Sequence, residues 1–232
     1  DSQKEATAAA LGELGYDVNP MISVFTVIED SAADGVLQEG DLIRGANGEE
    51  VTDATALREI VNAGGGAPVD LLVERDGEEQ TIAITPKETE VDGETTLLVV
   101  ITLRHDYEFP FEVTIQLNND GGPSAGMMFA LGIIDTLTPD ELNGGANVAG
   151  TGTISGGGVV GPIGGIRQKM WGAVDAGATY FLAPAANCDE VVDHVPSGLQ
   201  VFSVEELDDA LDVLEAIRDD GDLSALPTCE AS

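Results

Sequence analysis

Two short stretches hold residue types that could attack an acyl bond. Gly121-Gly122-Pro123-Ser124-Ala125-Gly126 sets a serine among glycines at the head of an apolar run over 127–137. Gly164-Gly165-Ile166-Arg167-Gln168-Lys169 sets a lysine one turn into a second helical segment, after a Gly-Pro-Ile-Gly-Gly turn. A serine hydroxyl that attacks a carbonyl needs a base, and a lysine can serve if burial keeps its amine neutral. A free lysine, at about 10.4, is protonated at neutral pH. Ile166, Met170 and Trp171 flank Lys169 and offer an apolar setting of the kind that lowers such a value. The glycines before Ser124 permit a tight turn, and a helix opening at Ser124 would leave its first amides unpaired beside a developing oxyanion. This reading makes Ser124 the nucleophile and Lys169 the base. Gly121, Gly122, Ser124 and Ala125 form the turn and oxyanion set.

The elements that position these residues are set by periodicity. Residues 2–14 read as a helix with Thr7, Ala10, Leu11 and Leu14 on one face and Gly15 as its stop. Strand-like runs cover 22–28, 41–46, 69–74 and 80–85, the last two joined by an Asp76-Gly77 hairpin turn. Thr52 caps a helix with Leu57, Ile60 and Val61 on one face, ending near Gly64. Residues 88–94 are short, charged and contain Asp92-Gly93, a linker signature. Beyond them come strand-like 96–103 and 111–117, the helix at Ser124, and a glycine-rich stretch over 150–165. A helix from Ile166, a strand at 180–182 and a terminal helix complete the pattern. Ser203-Val204-Glu205-Glu206 reads as the capping box of that last helix, whose Leu207, Ala210, Leu211 and Leu214 form one face. Alternating strands and helices indicate an α/β domain.

Composition narrows the function. The 232 residues carry 43 acids against nine bases, a net charge of −34, which repels phosphate backbones and anionic lipid and excludes nucleic-acid binding. Such a surface suits either high salt or simple solubility, and composition does not separate the two. No apolar run approaches the roughly 20 residues that span a bilayer. The chain opens at Asp1-Ser2-Gln3-Lys4, without an initiator Met or signal peptide, as a mature or truncated product would. Cys188 and Cys229 lack metal-site spacing and are either a disulfide holding the C-terminal tail or two separate thiols. No metal site or cofactor is expected: acid pairs such as Asp208-Asp209 lack a convergent partner, and no phosphate-loop sequence occurs. His105 beside Asp106 is read as an ordinary histidine, because neither histidine of the chain has a nucleophile-elbow partner.

From Ser31-Ala32-Ala33-Asp34-Gly35 through Gly40-Asp41-Leu42-Ile43 to Asn47-Gly48 and Val51, residues 20–87 resemble a bacterial PDZ domain. The resemblance implies a small β-barrel-like sandwich with helices that accepts a peptide as an added strand. The implied peptide-binding residues are Ile22, Val24, Phe25 and Val27 on the strand and Leu57 on the helix. Asn19-Pro20-Met21-Ile22 stands where a Gly-rich carboxylate loop would be. A rigid spacer or an oligomer contact is the alternative role for this module.

Gly122-Pro123-Ser124-Ala125-Gly126, and Thr151-Gly152-Thr153-Ile154 through Pro162-Ile163-Gly164-Gly165 to Lys169, resemble in order and spacing the two catalytic stretches of the Lon proteolytic domain. That resemblance covers 95–217 and implies a mixed α+β or α/β fold with a Ser124–Lys169 dyad and Thr151 in support near the lysine. It departs from the family at Gly121, with Asp120 one position earlier, and at Thr153, where the family has acids. The implied organisation is a helix over 1–19 belonging to the protease domain, a PDZ domain over 20–87, a linker over 88–94, the proteolytic domain over 95–217 and a tail over 218–232. The group most resembled is that of ATP-independent, PDZ-carrying Lon-like serine endopeptidases. It implies polypeptide substrates, a ring, plausibly a hexamer, and an extracytoplasmic location with an N-terminal membrane anchor. The alternative is a catalytically weak peptide-binding scaffold.

Overall fold

The chain leaves one structural unit at residue 18 and returns to it at 110, with a second unit formed entirely by 19–109 between. The computed structural model describes residues 2–91, 94–99, 101–114 and 122–229.

Helix α1 (Ser2–Glu13) opens the first unit. The second unit runs through β1 (Asn19–Val27), β2 (Leu42–Ala46), β3 (Glu49–Glu50), α2 (Ala54–Ala63), β4 (Val69–Arg75), β5 (Glu78–Ile84), β6 (Lys87–Val91), β7 (Glu94–Leu98) and β8 (Ile101–Glu108). Its main sheet has the order β5-β4-β2-β1-β8, with β3 beside β2. The path ends at β5 and β8 and does not return on itself, so the expected barrel-like closure is replaced by an open sheet. Period-two alternation explains the strands: Val69, Leu71 and Val73 of β4 are buried and meet Ile22, Val24 and Ile43 in one core. Asp53, not Thr52, caps α2, its carboxylate accepting from the amides of Thr55 (2.7 Å) and Ala56 (2.9 Å). An acid at this position also suits the positive end of the helix.

The expected linker is instead the β6–β7 hairpin, and 101–108, assigned in the sequence to the proteolytic domain, pair with the whole length of β1. Leu103 and Ile101 pack against the core of this second unit. Burial of apolar side chains across the β1–β8 ladder is a long-range effect that no local pattern signals.

The first unit resumes after Pro110. Residues 111–114 form no strand, and the rest of the strand expected over 111–117 lies outside the described residues. A 3-10 turn (Pro123–Ala125) leads into α3 (Gly126–Leu137). Then come β9 (Val148–Gly150), β10 (Thr153–Ile154), β11 (Val160–Gly161), α4 (Ile166–Asp175), β12 (Tyr180–Pro184), α5 (Cys188–Val191), β13 (Gln200–Val204) and α6 (Leu207–Arg218). The strands β13-β12-β9 form a parallel sheet, and β10-β11 a small antiparallel pair. Small residues let α1 approach α3 closely: Ala6, Ala9 and Ala10 share a core with Met127, Ala130, Leu131 and Ile134. A separate cluster holds Ile166 and Met170 of α4 against Phe181 and Val201.

Glu206 caps α6, with the Asp209 carboxylate accepting from the Glu206 amide at 3.0 Å. Ser203 is unavailable for the expected cap because β13 continues to Val204, paired with Pro184. Cys188 and Cys229 are joined as a disulfide, and the Ser203 amide donates to the Pro227 carbonyl at 2.9 Å, so the tail is tied to β13.

One polar lock stands out in the second unit. Asp41 is 1% exposed and takes two hydrogen bonds from Arg75, at 2.7 Å (Nε) and 2.6 Å (Nη2), plus one from the Gln38 amide at 2.8 Å. Arg75 also donates to the Val36 carbonyl. Burial pushes the Asp41 carboxyl up, but these donors and the guanidinium charge outweigh it and hold the group below its ordinary value. A depressed carboxylate contributes stability above its unfolded value and loses it as pH falls through the folded one. Stability of this unit should therefore decline below about pH 4. Asp41→Asn should cost about 2 kcal/mol at neutral pH and flatten that decline, as urea melts at several pH values would measure.

Candidate active site

Ser124 lies in the 3-10 turn before α3, and main-chain bonds fix it from both sides. Its carbonyl accepts from the Gly152 amide (2.9 Å) and from the Thr151 hydroxyl (2.9 Å). Further along the chain, the Met127 amide donates to the Gly152 carbonyl at 3.1 Å. This close strapping requires glycine at 126: a Cβ there would stand 3.0 Å from Ile154 Cγ2 and 3.1 Å from the Ile154 amide nitrogen. Thr151 is itself held by its amide on the Leu182 carbonyl of β12 (3.1 Å). The position of Ser124 is thus referred to the parallel sheet.

Lys169 arrives from α4. Gly165, at φ 73°, begins this helix in the left-handed region that favours glycine, and the Lys169 amide closes the first turn on the Gly165 carbonyl. Ile166 and Met170 are fully buried, which fixes the rotation of α4. The half-buried Lys169 then donates from Nζ to Ser124 Oγ at 3.1 Å. The two residues that could act together are in contact.

Other expected features differ. Ile166 and Met170 turn into their own core cluster and Trp171 is 58% exposed, so these neighbours anchor the helix rather than enclose the amine. Thr151 hydrogen-bonds the Ser124 carbonyl, and among the described residues no bond joins it to Lys169. The Ala125 amide, expected in the oxyanion set, donates to the Gly122 carbonyl at 3.1 Å, and the Gly126 amide to Pro123. A 3-10 turn satisfies amides that a helix opening at Ser124 would have left unpaired. Gly122 is extended and exposed; Gly121 and Asp120 lie outside the described residues. Sequence reasoning missed Asn187, which binds the turn before α4. Its only signal was an asparagine in a turn after a strand.

In the other unit, Ile22, Val24, Phe25 and Val27 lie on β1, which pairs with β8 along its length and with β2 at Ile22 and Ser23. Ile22 and Val24 are buried in the core, and Phe25 lies under the Arg104 guanidinium, 4.3 Å from the ring centroid. Asn19 and Pro20 pair with Glu108 and Tyr107 and form no loop. Among the described residues β8, like β5, is an outer strand of this sheet. Between it and α2 runs a groove of about 120 Å³ lined by Leu57, Arg58, Val61, Val99, Ile101 and Leu103. Leu57 of α2 packs in the core of this unit and also lines that groove.

Residues 117–216 match the Lon protease (S16) C-terminal proteolytic domain. This segment holds Ser124, Thr151 and Lys169. The chain is 41% identical over 95 residues to Lon protease 2 of Herpetosiphon aurantiacus, covering 40% of this chain and 11% of that protein. It is 37% identical over 94 residues to Lon protease of Clostridioides difficile, covering 39% of this chain and 12% of that protein. The chain thus spans about a tenth of the length of these curated relatives. Among solved structures, the PDZ domain of an SdrC-like protein from Listeria innocua superposes with a TM-score of 0.32 at 23% identity, covering 36% of this chain and 92% of that one.

The Thr151 hydroxyl is 2.9 Å from the Ser124 carbonyl and almost wholly buried. Thr151→Val keeps the shape and removes one hydrogen bond, of about 1 kcal/mol. Turnover of an activated ester should fall roughly tenfold in kcat with KM little changed, because the reacting serine loses alignment.

Proposed function

We propose that the chain is a serine endopeptidase that works through a Ser124–Lys169 dyad. The observation that carries this reading is the 3.1 Å contact between Lys169 Nζ and Ser124 Oγ, inside a segment that matches the Lon proteolytic domain. Lys169 Nζ takes the hydroxyl proton as Ser124 Oγ attacks the peptide carbonyl. The tetrahedral oxyanion forms beside the positive end of α3, which begins two residues after Ser124. Collapse breaks the C–N bond, and the lysine returns its proton to the leaving amine. Water, deprotonated by the same lysine, then hydrolyses the ester and restores Ser124.

These 232 residues contain no phosphate-loop sequence, which supports turnover by the chain without nucleotide. We assign loose, unfolded or membrane-released polypeptides to it as substrates. The 19–109 unit recruits polypeptide ends by adding them as a strand to the β8 edge, with apolar side chains entering the groove against α2. The disulfide supports a working site in an oxidising, extracytoplasmic compartment. Self-association into a ring, plausibly a hexamer, rests on the resemblance to Lon alone.

One observation favours a second reading, a scaffold of low turnover. The Ala125 and Gly126 amides are engaged within the 3-10 turn, so this turn must open before they can serve an oxyanion.

Cleavage of labelled casein without ATP, across salt concentrations, separates the two readings. Ser124→Ala and Lys169→Ala should each lower it at least about 10³-fold, and a phosphonate probe should label Ser124 in the wild type. No cleavage and no labelling at any salt would leave the scaffold. Activity persisting in Ser124→Ala would remove the dyad altogether.

Peptide recruitment has its own test. Leu57→Glu should weaken binding of a fluorescent peptide with an apolar C-terminus at least tenfold, while Phe25→Ala should leave it unchanged. The reverse order would return the site to β1.

A further inference from the structure

Asn187 is 3% exposed and makes three hydrogen bonds, all at 2.9 Å. Its Oδ1 accepts from the Ile163 amide, and its Nδ2 donates both to the Ile163 carbonyl and to Glu190 Oε1. One side chain thus takes both main-chain polar groups of one residue, as a neighbouring strand would. Only a carboxamide of this length does so. Aspartate lacks the donors, and glutamine is a methylene longer.

The position of Ile163 in the chain makes this clamp consequential. Gly164 and Gly165 separate it from the first residue of α4, and glycine restrains the backbone less than any other residue. Lys169 lies one turn further on. Two supports reinforce the same corner: Arg167 Nε donates to the Glu190 carbonyl at 3.0 Å, and Cys188, the neighbour of Asn187, is bonded to Cys229. The apolar face of α4 sets the helix's rotation through Ile166 and Met170. Its start is set by the hydrogen bonds at Ile163.

We propose that Asn187 is a positioning residue for the Ser124–Lys169 pair, acting by holding both main-chain polar groups of Ile163 and so fixing the turn that delivers Lys169 to Ser124. The inference rests on the dyad reading for its catalytic consequence. It concerns a residue that touches neither Ser124 nor substrate, and misplacement by about 1 Å in such a site costs on the order of 100-fold in rate.

A double-mutant cycle tests it, using an activated ester so that residual hydrolysis remains measurable. Asn187→Ala should lower kcat 10- to 100-fold with KM within about twofold. In a Lys169→Ala background the same substitution should change kcat less than about twofold, since the group it positions is gone. Equal losses in both backgrounds would mean a general loss of fold and overturn the proposal. Asn187→Asp keeps the volume and the acceptor for Ile163 N–H but not the donors, and it should reproduce the kcat loss if Asn187→Ala folds poorly. Glu190→Gln keeps an acceptor for Nδ2 and should stay near the wild-type rate. If the wild type shows no turnover, the dyad reading fails by itself, and the inference is then read from the Lys169 13Cε resonance and from amide exchange over 163–169. Both should change in Asn187→Asp, and unchanged signals would overturn the clamp independently of activity.

Discussion

A single side-chain hydrogen bond, from Lys169 to Ser124 across 45 residues of sequence, is what the first unit is organised to make. Two short helical starts must meet with their side chains aimed at each other, and a contact of this length tolerates little error. Each start is preceded by glycine, which allows the sharp approach but supplies no rigidity. Rigidity comes from elsewhere, and on both sides it is main-chain hydrogen bonding. At Ser124 it comes from Thr151 and Gly152, themselves tied to β12 through the Leu182 carbonyl. At Lys169 it comes from Asn187, just past the end of β12. The same parallel strand therefore references both partners, and its pairing with β9 and β13 decides whether they meet.

Ser124 and Lys169 were legible because particular side chains at particular spacings survive in one dimension. Their supports were not. Asn187 and the Ile163 backbone are 24 positions apart, and nothing local to either announces the other. The turn before α3 was misjudged for a related reason. Apolar periodicity marks where a helix can run, but the last residues before it are free to tighten into a 3-10 turn, which engages the Ala125 and Gly126 amides.

In the second unit, the strands read from alternation carried no neighbours beyond the 69–74/80–85 hairpin, which forms as β4–β5. The strand-like run read over 96–103 falls on both β7 and β8, and the charged residues before it read as a linker. Only tertiary pairing shows that β8 lies along β1 and forms one open edge of the sheet. An edge strand presents a row of unpaired main-chain groups, whereas β1 has a ladder partner on both sides at Ile22 and Ser23. The α2 face was right in either case, because Leu57 and Val61 repeat at helical spacing whichever strand lies opposite.

The scarcity of positive charge sharpens the meaning of the few cations present. With nine against 43 acids, any base left in solution would find carboxylates nearby. Yet several are committed to structural posts: Arg75 to Asp41, Arg44 to Glu74, and Lys87 to the carbonyls of Asp30 and Ser31. Lys169 is different again, for among the described residues it forms no ion pair and its donor goes to a serine hydroxyl. In a chain this acidic, the half-buried placement of Lys169 on a packed helix gives its donor a hydroxyl partner and not a carboxylate.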